Sequence, residues 1–244
     1  MKRDERTRAF SQLPRWLYIG CVISVLAQSA LHYISKVDSE NNYQPLKPPA
    51  TAELYRNISM GSDRLIAYLL ILKVQLHDSQ SGRHINYRYL DFNVLKKWLL
   101  TVSQINPGSE YPAFLASRVY SSVTDKGKIQ VLIDVIQELF QQNPAIHWRR
   151  MTEATLLAKH QLKDLPQALK LAEQVSSIPK EFDLPFWARD MKLILMDELG
   201  EKESAIILIS SMLQSGEIHD SDEKHFLQSR LLKIQQELSE NKRN

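Results

Sequence analysis

Apolar positions along the chain fall into two kinds of run. From Trp16 to Ile34, nineteen consecutive residues carry no Asp, Glu, Lys or Arg. At about 1.5 Å of rise per residue, a helix of that length crosses a hydrocarbon layer of roughly 30 Å. Beyond residue 62 the apolar positions recur at steps of three and four with polar residues between them, the pattern of helices that bury one face. The two patterns predict an all-α chain: a basic segment 1–15, an apolar helix 16–34, a polar linker 35–59 and a helical domain 60–240. Pro45, Pro48 and Pro49 deny the linker a long helix.

Within the domain, Ser62-Asp63 is a helix start, with an acid in the first turn. Leu65 to Leu76 is then nearly all apolar; twelve residues are too few to span a bilayer, so the stretch predicts a buried helix. Residues 77–87 read as a loop. Tyr89 to Val102 reads as the next helix, with Leu90, Val94, Leu95, Trp98, Leu99 and Val102 at helical spacing.

Punctuation then recurs. Asn106-Pro107 and Asn143-Pro144 lie 37 residues apart, and Pro179 follows Pro144 by 35. Each interval has room for two helices joined by a short turn, and the turns stand at 124–127, 162–164 and 199–201. Ala168 and Ala205, again 37 apart, mark a point where helices approach closely. The last helix, after Ser221, carries Phe226, Leu227, Leu231, Ile234 and Leu238 on one stripe, as the end cap of a stack does.

Gly200 with Ala205 five residues later, Asp164 with Ala168 four later, and the closing Pro107, Pro144 and Pro179 are the residues by which the chain resembles the tetratricopeptide-repeat class. The resemblance covers roughly residues 88–215 and departs in period, which is about 34 residues in that class; another right-angled helical repeat stays open. With its anchor, the chain also resembles in architecture the extracytoplasmic repeat proteins that hang from one N-terminal span in bacterial inner membranes. The resemblance implies an α-solenoid whose concave face is lined by the first helix of each pair. Setting Ala168 and Ala205 at the small-residue position of the class puts Arg150, Glu153, Leu157, His160 and Gln161 on that face in one unit. Trp187, Asp190, Ile194 and Asp197 follow in the next. Such a groove would take a peptide or helix, with Arg150 and Trp187 as anchors of the kind enriched at hot spots. The competing reading has Trp187 packed between repeats and Arg150 in solvent.

Charge orients the arrangement. Lys2, Arg3, Arg6, Arg8 and Arg15 against Asp4 and Glu5 account for the whole net charge of +3. The excess therefore lies before the apolar run and not on the domain, which argues against a nucleic-acid partner and predicts a cytoplasmic N-terminus with the domain outside the cytoplasm. A cleaved signal peptide ending near Ala27-Gln28-Ser29 and a lipoprotein built on Cys21 are the rival readings; the single uncleaved span is preferred because the apolar run continues past both sites. Cys21 is the one cysteine, so no intramolecular disulfide forms.

Chemistry is sparse. His147-Trp148-Arg149-Arg150 starts a helix and reads as structural, with Trp148 in the core. His219-Asp220-Ser221-Asp222-Glu223-Lys224-His225 holds several metal-ligand types, but its histidines miss the i, i+4 spacing, and the acids suit a helix cap and first turn. No phosphate loop, nucleophile elbow, zinc-binding helix or Cys–His pair is present. The expectation is a membrane-anchored docking or scaffold module with a protein partner and no cofactor, metal or catalytic role. The alternative is a fixed accessory subunit of a membrane enzyme or transport complex, its span packed on others through Ser24, Gln28, Ser29 and His32. An envelope enzyme ranks third.

Overall fold

The structure, a computed structural model, describes residues 15–37, 45–77, 87–179, 181–182, 184–215, 218 and 220–241; in the first helix it describes side chains for 16–31. Residues 1–14 of the basic segment, 38–44 of the linker, the 78–86 loop and His219 lie outside the described residues. Among the described residues every regular element is helical.

α1 (Arg15–Val37) is a unit by itself, and its described side chains are exposed throughout. Among the described residues no helix is long and apolar enough to cross a membrane.

The second unit contains α2 (Ala52–Ser59), α3 (Asp63–His77), α4 (Phe92–Ile105), α5 (Tyr111–Phe114), α6 (Lys126–Gln142), α7 (Pro144–Leu157), α8 (Leu165–Ser176), α9 (Phe186–Glu198), α10 (Lys202–Gln214) and α11 (Ser221–Asn241). It reaches further into the linker than the prolines suggest. Leu46 and Ala52 are buried, and the Trp98 indole N–H donates to the Lys47 carbonyl at 2.8 Å. Tyr55 lies 6.4 Å from the Trp98 ring. Thr51 starts α2 by accepting from the Leu54 amide at 3.3 Å, so the prolines end just where a side-chain cap can begin a helix.

The turn chemistry is local and explains most helix ends. Asn143 closes α6 with its own amide on the Leu139 carbonyl and opens α7 by accepting from the Ile146 amide at 3.3 Å, with Pro144 in the first turn. Asp125 caps α6 and Asp164 caps α8 through bonds of 3.1 and 2.9 Å. Asp91 accepts from Asn93 and Val94, which moves the start of α4 to Phe92 and leaves Tyr87–Tyr89 as a short 3-10 turn. Gly200 sits at φ 83°, a left-handed turn natural to glycine, while Lys163 takes φ 59° to leave a π-helical turn at Ala158–Leu162.

Packing follows chain order. α6 packs on α7, α7 on α8, α8 on α9, α9 on α10 and α10 on α11, while α4 contacts both α3 and α6. Two apolar clusters result. The larger runs from Leu46 to Leu195 and includes Trp98, Tyr120, Ile133 and Leu139; burial of each such side chain contributes about 1.5–3 kcal/mol. The smaller gathers Leu193, Ala205, Ile209, Leu227 and Ile234 from α9, α10 and α11. Ala168 and Ala205 are wholly buried. Polar bonds join residues about one helix pair apart: Gln137 to Gln174 at 3.4 Å, Lys159 to Glu198 at 2.6 Å and Lys202 to Glu237 at 2.5 Å.

Candidate functional site

The residues expected on one open face go to different places. On α7, Arg150 and Glu153 are drawn inward. The Arg150 Nε donates to the Glu110 carboxylate at 2.7 Å, its Nη1 donates to Glu153 at 2.7 Å, and the guanidinium lies 5.3 Å from the Phe114 ring centre. Arg118 reaches Glu153 from the other side at 2.6 Å. Arg150 is thus a member of a partly buried ion network, not a free solvated side chain. Burial opposes the charge on both partners, but Glu110 and Glu153 hold the Arg150 pKa above its ordinary value. For Glu153, burial is outweighed by Ser117, Arg118 and Arg150, which hold its carboxyl below the usual range.

Further along, Leu157 is buried, His160 is exposed, and Gln161 donates to the Ser121 carbonyl at 3.2 Å. On α9, Trp187 is 47% exposed and packs at a tilt on Trp148, with ring centres 5.9 Å apart. Ile194 is half-buried, and Asp197 accepts from Arg230 at 2.6 Å. Arg149 lies over the Trp148 ring at 5.1 Å.

Asp190 is the exception. Its side chain is 1% exposed, and neither carboxylate oxygen has a hydrogen-bond partner. Burial, reinforced by the negative charge of Glu223, pushes its pKa up to about 7, with Lys192 and Arg189 acting the other way. Asp190 lines a cavity of about 510 Å³ formed with α10, α11 and the segment before α9. Arg189 shapes that segment by donating to the carbonyls of Ile178, Pro179 and Phe182 at 2.7–3.1 Å. Asp220 caps α11 by accepting from the amides of Asp222 and Glu223. Among the described residues no three His, Cys, Asp or Glu side chains come together as metal ligands would.

A second feature escaped periodicity. α3 buries Ala67, Leu70, Ile71 and Val74 against its neighbours, but Leu65, Tyr68, Leu69, Leu72 and Leu76 on its other side are exposed, as are Leu54, Ile58 and Met60 in and just after α2. The helix expected to be buried is covered on one side only. Its all-apolar composition held the clue, since one layer of neighbours covers one face of a helix.

No protein family, curated protein or solved structure matches the chain.

Proposed function

We propose that this chain is a membrane-tethered helical docking module whose α2–α3 face receives an apolar helix of a partner protein. The observation that carries the reading is the uncovered side of α3. Leu65, Leu69, Leu72 and Leu76 stand at steps of four, three and four, the spacing of a seam that meets another helix, and all are exposed. Exposed apolar surface of this extent marks an interaction site, because water leaves it at a gain of roughly 25 cal/mol per Å². A helix suits the face better than a lipid surface, which would favour a broad fringe of free cations: of the Lys and Arg side chains of α2 and α3, Lys73 is engaged over the Trp98 ring at 5.1 Å and Arg56 donates to the Gln104 carbonyl, which leaves Arg64 to face water.

The tetratricopeptide-like arrangement and the tether belong to the same reading. In favour of the repeat are helices packed in chain order and polar bonds linking residues 35 to 39 apart, close to the spacing of the prolines. In favour of the tether are the uncharged run from Trp16 to Ile34 and the exposure of α1 side chains from Trp16 to Leu31. The basic start orients the helical unit away from the cytoplasm. Docking requires no catalytic group.

A photo-reactive residue at Leu69, activated in cells, tests the proposal. Cross-linked peptides should come from an apolar helical segment of another protein, and Leu65→Gln with Leu72→Gln should remove them. Products confined to lipid, or to a second copy of this chain, would overturn it. The second reading, a fixed subunit of a membrane complex, draws on the exposed Ser24 and Gln28 of α1. Replacing the 16–34 run by a plain Leu/Ala helix abolishes assembly in that case and spares docking in the first.

A further inference from the structure

The last helix is held to the rest of its unit more lightly than the helices before it. α9 packs along α8, and Leu184, Ala188 and Leu195 belong to the larger apolar cluster. α11 packs mainly on α10 and touches α9 lightly. Of its described side chains only Leu227 and Ile234 are buried, both in the smaller cluster. Two ion pairs fix its second half, Arg230 to Asp197 at 2.6 Å and Glu237 to Lys202 at 2.5 Å. The first half meets α9 through Phe226, whose ring centre lies 6.2 Å from that of Phe186.

Asp190 stands where the two clusters meet. Ala188, two residues before it, belongs to the larger and Leu193, three after it, to the smaller. Both carboxyl oxygens are screened from water and have no hydrogen-bond partner, so a negative charge has nothing to receive it in the closed arrangement. The charged groups around it do not supply a counter-charge. On α9, Arg189 is committed to three backbone carbonyls, and Lys192 lines the neighbouring cavity without bonding to Asp190. From the α11 side come Asp220, which caps the helix, Glu223, which has a partner of its own, and His225, which is exposed. α8 and α10 bring only Ser176, Leu208, Met212 and Ser215 to the cavity wall, none of which titrates.

We propose that Asp190 is a proton-controlled latch on α11: while the carboxyl is neutral the first turns of α11 stay packed on α9, and when it ionises they part from α9, with the Arg230–Asp197 pair as the hinge. Hydrating the carboxylate by separating α8 from α9 would break the larger cluster, whereas parting the start of α11 exposes little beyond Phe226 and Leu227. Local opening takes the route that uncovers less apolar surface. The direction follows from linkage. A carboxyl raised to about 7 in the closed arrangement favours closure at low pH, and that contribution is lost as pH rises through 7.

Amide hydrogen exchange of the full chain in detergent, read by mass spectrometry at pH 6 and pH 8 and corrected for the intrinsic pH dependence of exchange, tests the latch. A segment as short as 221–229 does not hold a helix once detached, so its amides report the opening. Opening of 221–229 should be about tenfold more frequent at pH 8 than at pH 6, and the middle of α6, Ile133 to Leu139, should show no such change. Asp190→Asn should remove the difference, and so should Asp190→Leu, which has no polar group to satisfy. A slope that belongs to any other titrating group survives in both variants. Equal protection of 221–229 at the two pH values in the wild type, a change of the same size in α6, or a tenfold change that persists in both variants overturns the proposal.

Discussion

Glu153 on α7 and Asp190 on α9 stand 37 residues apart, the spacing that also separates Ala168 from Ala205, and meet opposite fates. Both are withdrawn from water. Glu153 has guanidinium groups at 2.6 and 2.7 Å and a lowered pKa; Asp190 has no partner and a pKa pushed up to about 7. Burial penalises the charged form in both cases, so the difference lies in the partner. A buried acid with its cation is a structural device, whereas one without it is either a cost to the fold or a switch.

Breaking the paired side should destabilise the fold at any pH near neutrality. Arg150→Met leaves Glu110 and Glu153 without their shared cation, and losing the charge-assisted bonds of a partly buried network costs about 1.5–3 kcal/mol. Because Arg118 still holds Glu153, the lower end of that range is expected in denaturant unfolding. A loss under about 1 kcal/mol would erase the contrast between the two acids.

Asp190→Asn acts in the opposite direction, and its effect depends on pH. A carboxyl whose pKa rises from 3.8 unfolded to about 7 folded stays protonated in the fold while the unfolded chain ionises. Its contribution is therefore fully present below pH 3.8 and is lost as pH rises through 7. Measured against the wild type, the Asn variant should show little advantage at pH 4 and a gain that grows by up to about 4 kcal/mol by pH 8. Taking the difference removes the slope of His147, which runs the other way. Burial lowers the His147 pKa against the pull of Glu110, so its contribution is present above 6.5 and lost as pH falls through its folded value.

Trp187→Arg sharpens the comparison by giving Asp190 a cation at the offset from which Arg150 serves Glu153. The guanidinium would stand three residues before Asp190, as Arg150 stands before Glu153. The Asp190 pKa, followed by carboxyl-carbon NMR, should drop by about one unit or more. Stability should change by only about 1 kcal/mol, since the contact of Trp187 with Trp148 is lost at the same time. An unmoved Asp190 pKa would mean that the two positions are not structurally equivalent.

These contrasts also mark what was legible in the chain. Helix ends were, because Asn143-Pro144, Asp164 and Gly200 act on amides within a few residues and need no knowledge of the rest. The place of Arg150 was not. Its main partner, Glu110, is 40 residues away, and helical periodicity carries no record of such a pairing. Asp190 was expected on an open groove face, and its burial without a partner follows from what surrounds it in three dimensions. α2 was hidden by three prolines, although Thr51 followed by Glu53 and Leu54 carries a start signal that composition alone obscured.

α3 sets out the same lesson within one helix and gives the smallest expected effect. Leu70 faces neighbours and Leu69 faces solvent, one residue apart. Exchanging Leu69 and Leu72 for Gln removes apolar area that folding has not buried, so unfolding free energy should move by less than about 0.5 kcal/mol. Leu70→Ala, which opens a cavity in the larger apolar cluster, is the control that must fall well below them in stability. If the double Gln variant destabilises the chain as much as the control does, the exposed side of α3 is covered within the folded protein, and the seam proposed for a partner helix is already occupied.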